Sequence, residues 1–148
     1  PPLSGHELAE GLEHALDAGF RRFDTASNYA NEPLIGQTLW RAVSARGLER
    51  KDIVLGTKLD PVELRCVLNE NDQCGQGHFG AESTLARFEA QLGALQVDYI
   101  DLYSLHAAGT DSQAMEASWQ VLQQQQRAGR IRLLGVSNFD AAALVVLQ

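Results

Sequence analysis

The stretch GFRRFDTASNYANEPLIG, residues 19–36, joins a short apolar strand to a helix through a polar turn. Three further apolar runs also end in polar residues: DIVLGTK at 52–58, DYIDLYSLH at 98–106 and IRLLGVSN at 131–138. Strands that alternate with helices predict a parallel sheet with right-handed crossovers, and polar groups at strand ends are typical of a parallel barrel. We therefore predict an α/β fold, a partial (β/α)8 TIM barrel with strands at 20–26, 52–58, 98–106 and 131–138.

Apolar positions at helical spacing predict the helices between these strands. The predicted helices cover 4–18, Pro33 to Gly47, 81–95, 112–128 and a start at Asp140. Ser4 and Glu7 form a capping-box pattern at the first of them. The third places Leu85, Phe88, Leu92 and Leu95 on one side. Residues 59–80 are rich in Asn, Asp, Gln and Gly, which predicts a loop.

The length of 148 residues fits one ordinary domain, but a complete barrel of this kind takes about 250 residues. Four strands would leave two sheet edges unpaired and one apolar face uncovered. We expect residues 1–148 to form a single incomplete barrel domain, which is either a fragment of a longer protein or pairs with itself or another chain. An isolated piece is predicted to self-associate through the open barrel.

Charge and composition exclude several classes of partner. The net charge of −7 argues against nonspecific binding to nucleic acid or to an anionic membrane. No apolar run approaches the length of a membrane span, and the first residues do not resemble a signal peptide. The two cysteines, Cys66 and Cys74, favour a reducing cytoplasm over a disulfide framework.

Four strand-end side chains together suit the reduction of a carbonyl group. A tyrosine hydroxyl is a poor acid at neutral pH unless a nearby cation stabilises its anion, and a carboxylate can hold that cation. A histidine can orient the substrate oxygen by hydrogen bonding. The chain supplies these groups as Tyr29, Lys58, Asp24 and His106.

Two long motifs carry a family resemblance. GFRRFDTASNYANEPLIG and RIRLLGVSNF resemble the two diagnostic motifs of the aldo-keto reductase family, and TKL and DYIDLYSLH resemble its Lys and His strands. The match covers roughly the first half of the family's barrel, without its first strand. The resemblance implies an NAD(P)H-dependent oxidoreductase that reduces aldehydes or ketones, or oxidises the matching alcohols.

The resemblance also implies roles for individual residues. Tyr29 would be the general acid, Lys58 would stabilise its anion, Asp24 would hold the lysine, and His106 would orient the carbonyl. Ser137 and Asn138, with Asp24, would bind the cofactor, with NADPH the expected one and NADH the alternative. His106 is followed by Ala107-Ala108-Gly109, where the family commonly has Trp-Pro, so the substrate preference stays open beyond a small carbonyl compound.

Two alternatives remain beside catalysis by this chain. The scaffold also occurs as a non-catalytic regulatory or binding subunit, and an inactive truncated fragment would explain the missing strands. A metal site built from Cys66, Cys74 and His78 is not predicted, because structural zinc requires four ligands at closer spacing.

Overall fold

The computed structural model describes residues 5–61 and 79–147, in which helices and strands alternate. The helices are α1 (Gly5–Asp17), α2 (Glu32–Ala45), α3 (Ala81–Leu95), α4 (Ser112–Arg127) and α5 (Ala141–Val145). The strands are β1 (Arg22–Asp24), β2 (Val54–Leu59), β3 (Ile100–Leu105) and β4 (Ile131–Val136). Single 3₁₀ turns lie at Ser27–Tyr29 and Arg50–Asp52. The predicted capping box at Ser4, and most of the predicted loop, lie outside the described residues.

The strands form one parallel sheet in the order β1-β2-β3-β4. Asp24 pairs with Gly56, Lys58 with Ser104, and Leu105 with Val136. All four carboxyl ends therefore lie at the same edge of the sheet, as predicted for part of a parallel barrel.

The observed strands are up to two residues shorter at either end than predicted, but β2 runs one residue further, to Leu59. The hydrogen-bond ladder nevertheless continues by one residue beyond three of them. The N–H groups of Thr25, His106 and Ser137 donate to Gly56, Leu59 and Leu105 oxygens at 3.0, 2.9 and 2.8 Å. The backbone of the predicted site residues is thus fixed by the sheet, although these residues already belong to turns.

One face of the sheet packs against the helices. The buried core includes Leu39 of α2, Leu55 of β2, Phe88 of α3, Tyr103 of β3 and Leu122 of α4. Burial of these apolar side chains is the main contribution to stability. The predicted apolar side of α3 is buried at Phe88, Leu92 and Leu95, but Leu85 is 40% exposed, and its neighbour Thr84 is buried in its place.

The opposite face of the sheet is open among the described residues. It presents Val54 of β2 and Leu133 of β4, which are 37% and 63% exposed. No helix in residues 5–61 and 79–147 combines the length and apolar character that crossing a bilayer requires.

Helices α2 and α3 approach so closely that glycine is required at position 36. A Cβ on Gly36 would meet the Ala94 carbonyl oxygen and would lie 2.8 Å from the Leu95 carbonyl carbon. Both are backbone atoms, which cannot turn away as a flexible side chain does. The helix pair therefore depends on this one missing methyl group.

We expect Gly36→Ala to lower the free energy of unfolding by about 1–3 kcal/mol, because overpacking forces the two helices apart. Gly93→Ala in α3 is the matched control, since a Cβ there meets nothing within 4 Å. It should raise stability by about 0.5–1 kcal/mol through the lower entropy of the unfolded chain. Urea denaturation of the two variants checks both signs, and equal midpoints would contradict the close approach.

Candidate active site

Asp24 and Lys58 form an ion pair at the carboxyl ends of β1 and β2. The Lys58 ammonium donates a hydrogen bond to the Asp24 carboxylate and another, of 3.0 Å, to the Thr25 carbonyl oxygen. Gly56 leaves space for this pair, because a Cβ there would lie 2.7 Å from Asp24 Oδ1. The lysine side chain is 14% exposed, so its charge is held in place by partners rather than by water alone.

Tyr29 closes the 3₁₀ turn that follows β1, and Ala30 after it has a left-handed backbone with φ 53°. The Lys58 Nζ atom lies 5.7 Å from the centre of the Tyr29 ring. The ring centre of His106 lies 5.8 Å from that of Tyr29, with the two planes at 82°. The structure thus brings Asp24, Lys58, Tyr29 and His106 together in one cluster, and Tyr29 remains 48% exposed.

His106 directly follows β3 and is largely buried. Its Nδ1 atom lies 2.6 Å from Oδ1 of Asp60, the residue that follows β2. Asp60 is not among the predicted site residues, although it stands at a strand end just as Lys58 does. An acidic residue two positions after a strand-end lysine was the available signal.

Ser137 and Asn138 lie beside His106, after β4. The Asn138 side-chain amide donates to the His106 carbonyl oxygen at 2.8 Å and to Ser137 Oγ at 3.1 Å. Asn138 has a positive φ of 55°, a conformation that asparagine tolerates better than most residues. This turn therefore fixes a hydroxyl and an amide at the same edge of the sheet as the cluster.

A buried polar network lies on the helix-covered side of β2. Glu32 Oε1 accepts from Thr57 Oγ1 at 2.5 Å and from Gln91 Nε2 at 2.9 Å. Gln91 also donates to the Lys58 carbonyl oxygen at 3.2 Å and accepts from the Tyr103 hydroxyl. The network therefore supports the backbone of Lys58 from the helix-covered side of the sheet. Burial raises the pKa of Tyr103, so its hydroxyl stays protonated and donating.

Burial raises the pKa of Glu32 above its ordinary value of 4.5, and hydrogen bonds from Thr57 and Gln91 oppose that rise. The folded state therefore keeps this proton to higher pH than the unfolded state. Stability is lost as the pH rises from the unfolded pKa through the folded one. The ionised carboxylate is thus a cost at neutral pH.

We expect Glu32→Gln to gain stability relative to the wild type as the pH is raised from about 4 to about 7, because the amide carries no charge to desolvate. Urea midpoints at the two pH values check this. Glu116→Gln on the exposed side of α4 controls for the loss of one negative charge. A Glu32→Gln variant that is more stable than the wild type at about pH 4 but not at about pH 7 would contradict this expectation.

Metal ligands are not grouped in the part of the chain that the structure describes, where no set of three or more His, Cys, Asp or Glu side chains could hold an ion. Cys66, Cys74 and His78 lie outside that part. The chemistry available in the cluster is that of a phenol, an ammonium group and an imidazole held close together.

The model of the family described as Aldo/keto reductase family matches residues 2–147. Glyoxal reductase of Bacillus subtilis is 35% identical over 137 residues, which are 93% of this chain and 42% of that protein. Morphine 6-dehydrogenase of Pseudomonas putida is 32% identical over 92% of this chain and 40% of its own length. The chain thus spans about two fifths of the curated relatives it matches.

Solved structures give the same result. An aldo/keto reductase from Brucella melitensis superposes with a TM-score of 0.75 at 35% identity, covering 97% of this chain and 49% of that one. An aldo-keto reductase from Bombyx mori, solved in complex with NADP, has a TM-score of 0.77 at 26% identity, covering 98% and 45%. The predicted partial barrel is confirmed by these likenesses.

Proposed function

Since the chain belongs to the aldo/keto reductase family, we propose that it reduces small aldehydes or ketones, or oxidises the matching alcohols, with a nicotinamide cofactor. The observation that carries this proposal is the Asp24–Lys58 ion pair close to Tyr29, with the ring of His106 also close to that of Tyr29. These groups match the requirements for delivering a proton to a carbonyl oxygen.

Each residue of the cluster has a role in the proposal. Tyr29 donates the proton to the carbonyl oxygen, and its 48% exposure leaves it accessible to a substrate. The ammonium of Lys58 stabilises the phenolate that remains, since opposite charges attract more strongly where water is partly excluded. Asp24 holds the ammonium in place. His106 orients the carbonyl oxygen by a hydrogen bond.

NADPH is the proposed cofactor, with NADH as the alternative, and it would supply the hydride that goes to the carbonyl carbon. The chain's residues fit a nicotinamide carboxamide, which needs both a donor and an acceptor. The Ser137 hydroxyl and the Asn138 amide offer both and are fixed next to His106. Asp24 lies at the carboxyl end of β1, at the same edge of the sheet. The NADP named in the Bombyx mori structure supports this assignment.

The substrate class rests on the names of two relatives. One is a glyoxal reductase and the other a morphine 6-dehydrogenase. Relatives of similar identity are thus named for compounds of very different size. Ala107, Ala108 and Gly109 after His106 are small, so we expect other parts of the pocket to determine which substrate is preferred. We therefore propose the reaction class and leave the individual compound open.

Carbonyl-dependent consumption of NADPH, followed at its near-ultraviolet absorbance with a panel that includes glyoxal and bulkier ketones, tests the proposal. We expect at least one carbonyl compound to be reduced with equal consumption of cofactor. Cofactor binding without turnover across the panel would instead support a non-catalytic regulatory or binding subunit, and neither binding nor turnover would support an inactive fragment.

Four further predictions about this chain are not tested by the geometry of the site. A single incomplete barrel domain, a cytoplasmic location and the absence of nucleic-acid and membrane partners stay predictions. Self-association through the open barrel also stays a prediction, and the exposure of Val54 and Leu133 on the open face of the sheet supports it.

A further inference from the structure

Asp60 is a buried carboxylate whose two oxygens contact two different parts of the cluster. It is 2% exposed, and it stands directly after β2. A charge removed from water in this way is costly unless polar groups surround it. The partners of each oxygen therefore indicate what this carboxylate does.

Oδ2 of Asp60 holds the turn that carries Tyr29. It accepts hydrogen bonds from Ser27 Oγ at 2.8 Å and from the Asn28 backbone N–H at 2.9 Å. Two donors on one oxygen favour the ionised carboxylate, because a carboxylic acid would offer them less negative charge. These bonds span more than 30 residues of sequence, so they fix the turn against β2.

Oδ1 of Asp60 faces His106. It lies 2.6 Å from Nδ1 as a close ion-pair contact that does not meet hydrogen-bond geometry, and neither atom has a hydrogen-bond partner among the described residues. An ionised carboxylate only accepts, so a proton must stand on Nδ1 for the two atoms to remain this close. His106 is itself 8% exposed, which leaves little water to compete.

We propose that Asp60 is a positioning residue that holds a proton on Nδ1 of His106 and ties this imidazole to the turn of Tyr29. The proposal rests on the proposed function insofar as His106 acts on a carbonyl oxygen. With Nδ1 protonated, the neutral ring has a bare Nε2, and only the imidazolium can donate a hydrogen bond from it. The negative charge of Asp60 stabilises that imidazolium.

Asp60→Asn tests the assignment because it changes hydrogen-bonding capacity with little change of shape. The Asn28 N–H can only donate, so the new amide must turn its oxygen toward Asn28 and its NH2 group toward His106. Nδ1 of His106 must then accept, and the proton moves to Nε2. Ser27→Ala is the matched control, since it removes one donor from Oδ2 and leaves the Oδ1–Nδ1 contact intact.

Nitrogen NMR of protein labelled at histidine reports this directly. We expect the His106 Nδ1 signal to be that of a protonated nitrogen in the wild type and in Ser27→Ala, and that of an unprotonated nitrogen in Asp60→Asn. An unprotonated Nδ1 in the wild type would overturn the proposal without any variant having to fold. The same signal in wild type and Asp60→Asn would also overturn it.

Kinetics separate this proposal from the proposed function. We expect kcat of Asp60→Asn to fall about tenfold, because a neutral Nε2–H would replace the imidazolium as the donor to the carbonyl oxygen and a hydrogen bond from a charged group is the stronger one, with an unchanged Kd for NADPH. Wild-type kcat in Asp60→Asn would overturn the positioning role. A wild type that reduces no carbonyl but shows the expected nitrogen signals would refute the proposed function alone and support the Asp60–His106 pairing.

Discussion

Tyr29→Phe should reduce kcat for carbonyl reduction by about 10²- to 10⁴-fold, the range expected when a general acid is removed. The phenol is the proton donor in the proposed reaction, and the substitution deletes its hydroxyl. It keeps the ring, whose centre lies 5.8 Å from the centre of the His106 ring. Because the ring stays, we expect neither the fold nor the NADPH affinity to change. Steady-state kinetics on protein purified in the form in which it occurs in its source measures this loss.

Tyr99→Phe is the matched control, because it also deletes one phenol hydroxyl. Tyr99 lies just before β3, at the other end of the sheet, where its ring stacks on Arg50 and Arg132. It should keep wild-type kcat. A Tyr29→Phe variant with near-normal kcat would remove Tyr29 from the reaction.

Lys58→Met should reduce kcat by about a hundredfold. Opposite charges about 6 Å apart attract by about 3 kcal/mol at an effective dielectric constant of about 20, and such a loss of transition-state stabilisation corresponds to about a hundredfold in rate. The distance is that of the Lys58 ammonium from the centre of the Tyr29 ring, 5.7 Å. Methionine keeps most of the side chain's length and apolar stem.

The folded state should tolerate Lys58→Met, because the Asp24 side chain that loses its partner is 58% exposed to water. Lys51→Met is the control for a lost ammonium group, since Lys51 pairs with Glu49 on the surface at 2.5 Å. We expect its kcat to be unchanged. If Lys58→Met unfolds at much lower urea than Lys51→Met, the lysine is needed for the fold and its kinetic effect cannot be assigned to the tyrosinate.

The sheet was predictable because each strand is an apolar run that ends at a polar residue. This local pattern places Asp24, Lys58 and His106 at one edge without any knowledge of tertiary contacts. The exact ends of the strands were less predictable. Thr25 and His106 each donate one more ladder hydrogen bond although their backbone already turns away, and sequence alone does not distinguish these two states.

The position of Asp60 two residues after Lys58 was a signal, but its burial was not predictable, since an aspartate before Pro61 at the start of a polar stretch is typical of an exposed turn. Its buried carboxylate accepts a hydrogen bond from Ser27, which is 33 residues earlier in the chain. The network behind Lys58 has the same origin, because Glu32 and Gln91 are 59 residues apart. Both sites arise from packing between distant segments, which periodicity does not report.

Transfer of deuterium from NADPH to a carbonyl compound tests most directly whether this chain belongs to a working reductase. NADPH deuterated on either face of the nicotinamide C4 would be incubated with the protein and a reducible aldehyde, and the alcohol analysed by mass spectrometry. We predict that the alcohol carries one deuterium from one of the two faces and none from the other, because Ser137 and Asn138 would hold the carboxamide in one orientation. Alcohol without deuterium from either cofactor, or no alcohol at all, would contradict the proposed hydride transfer.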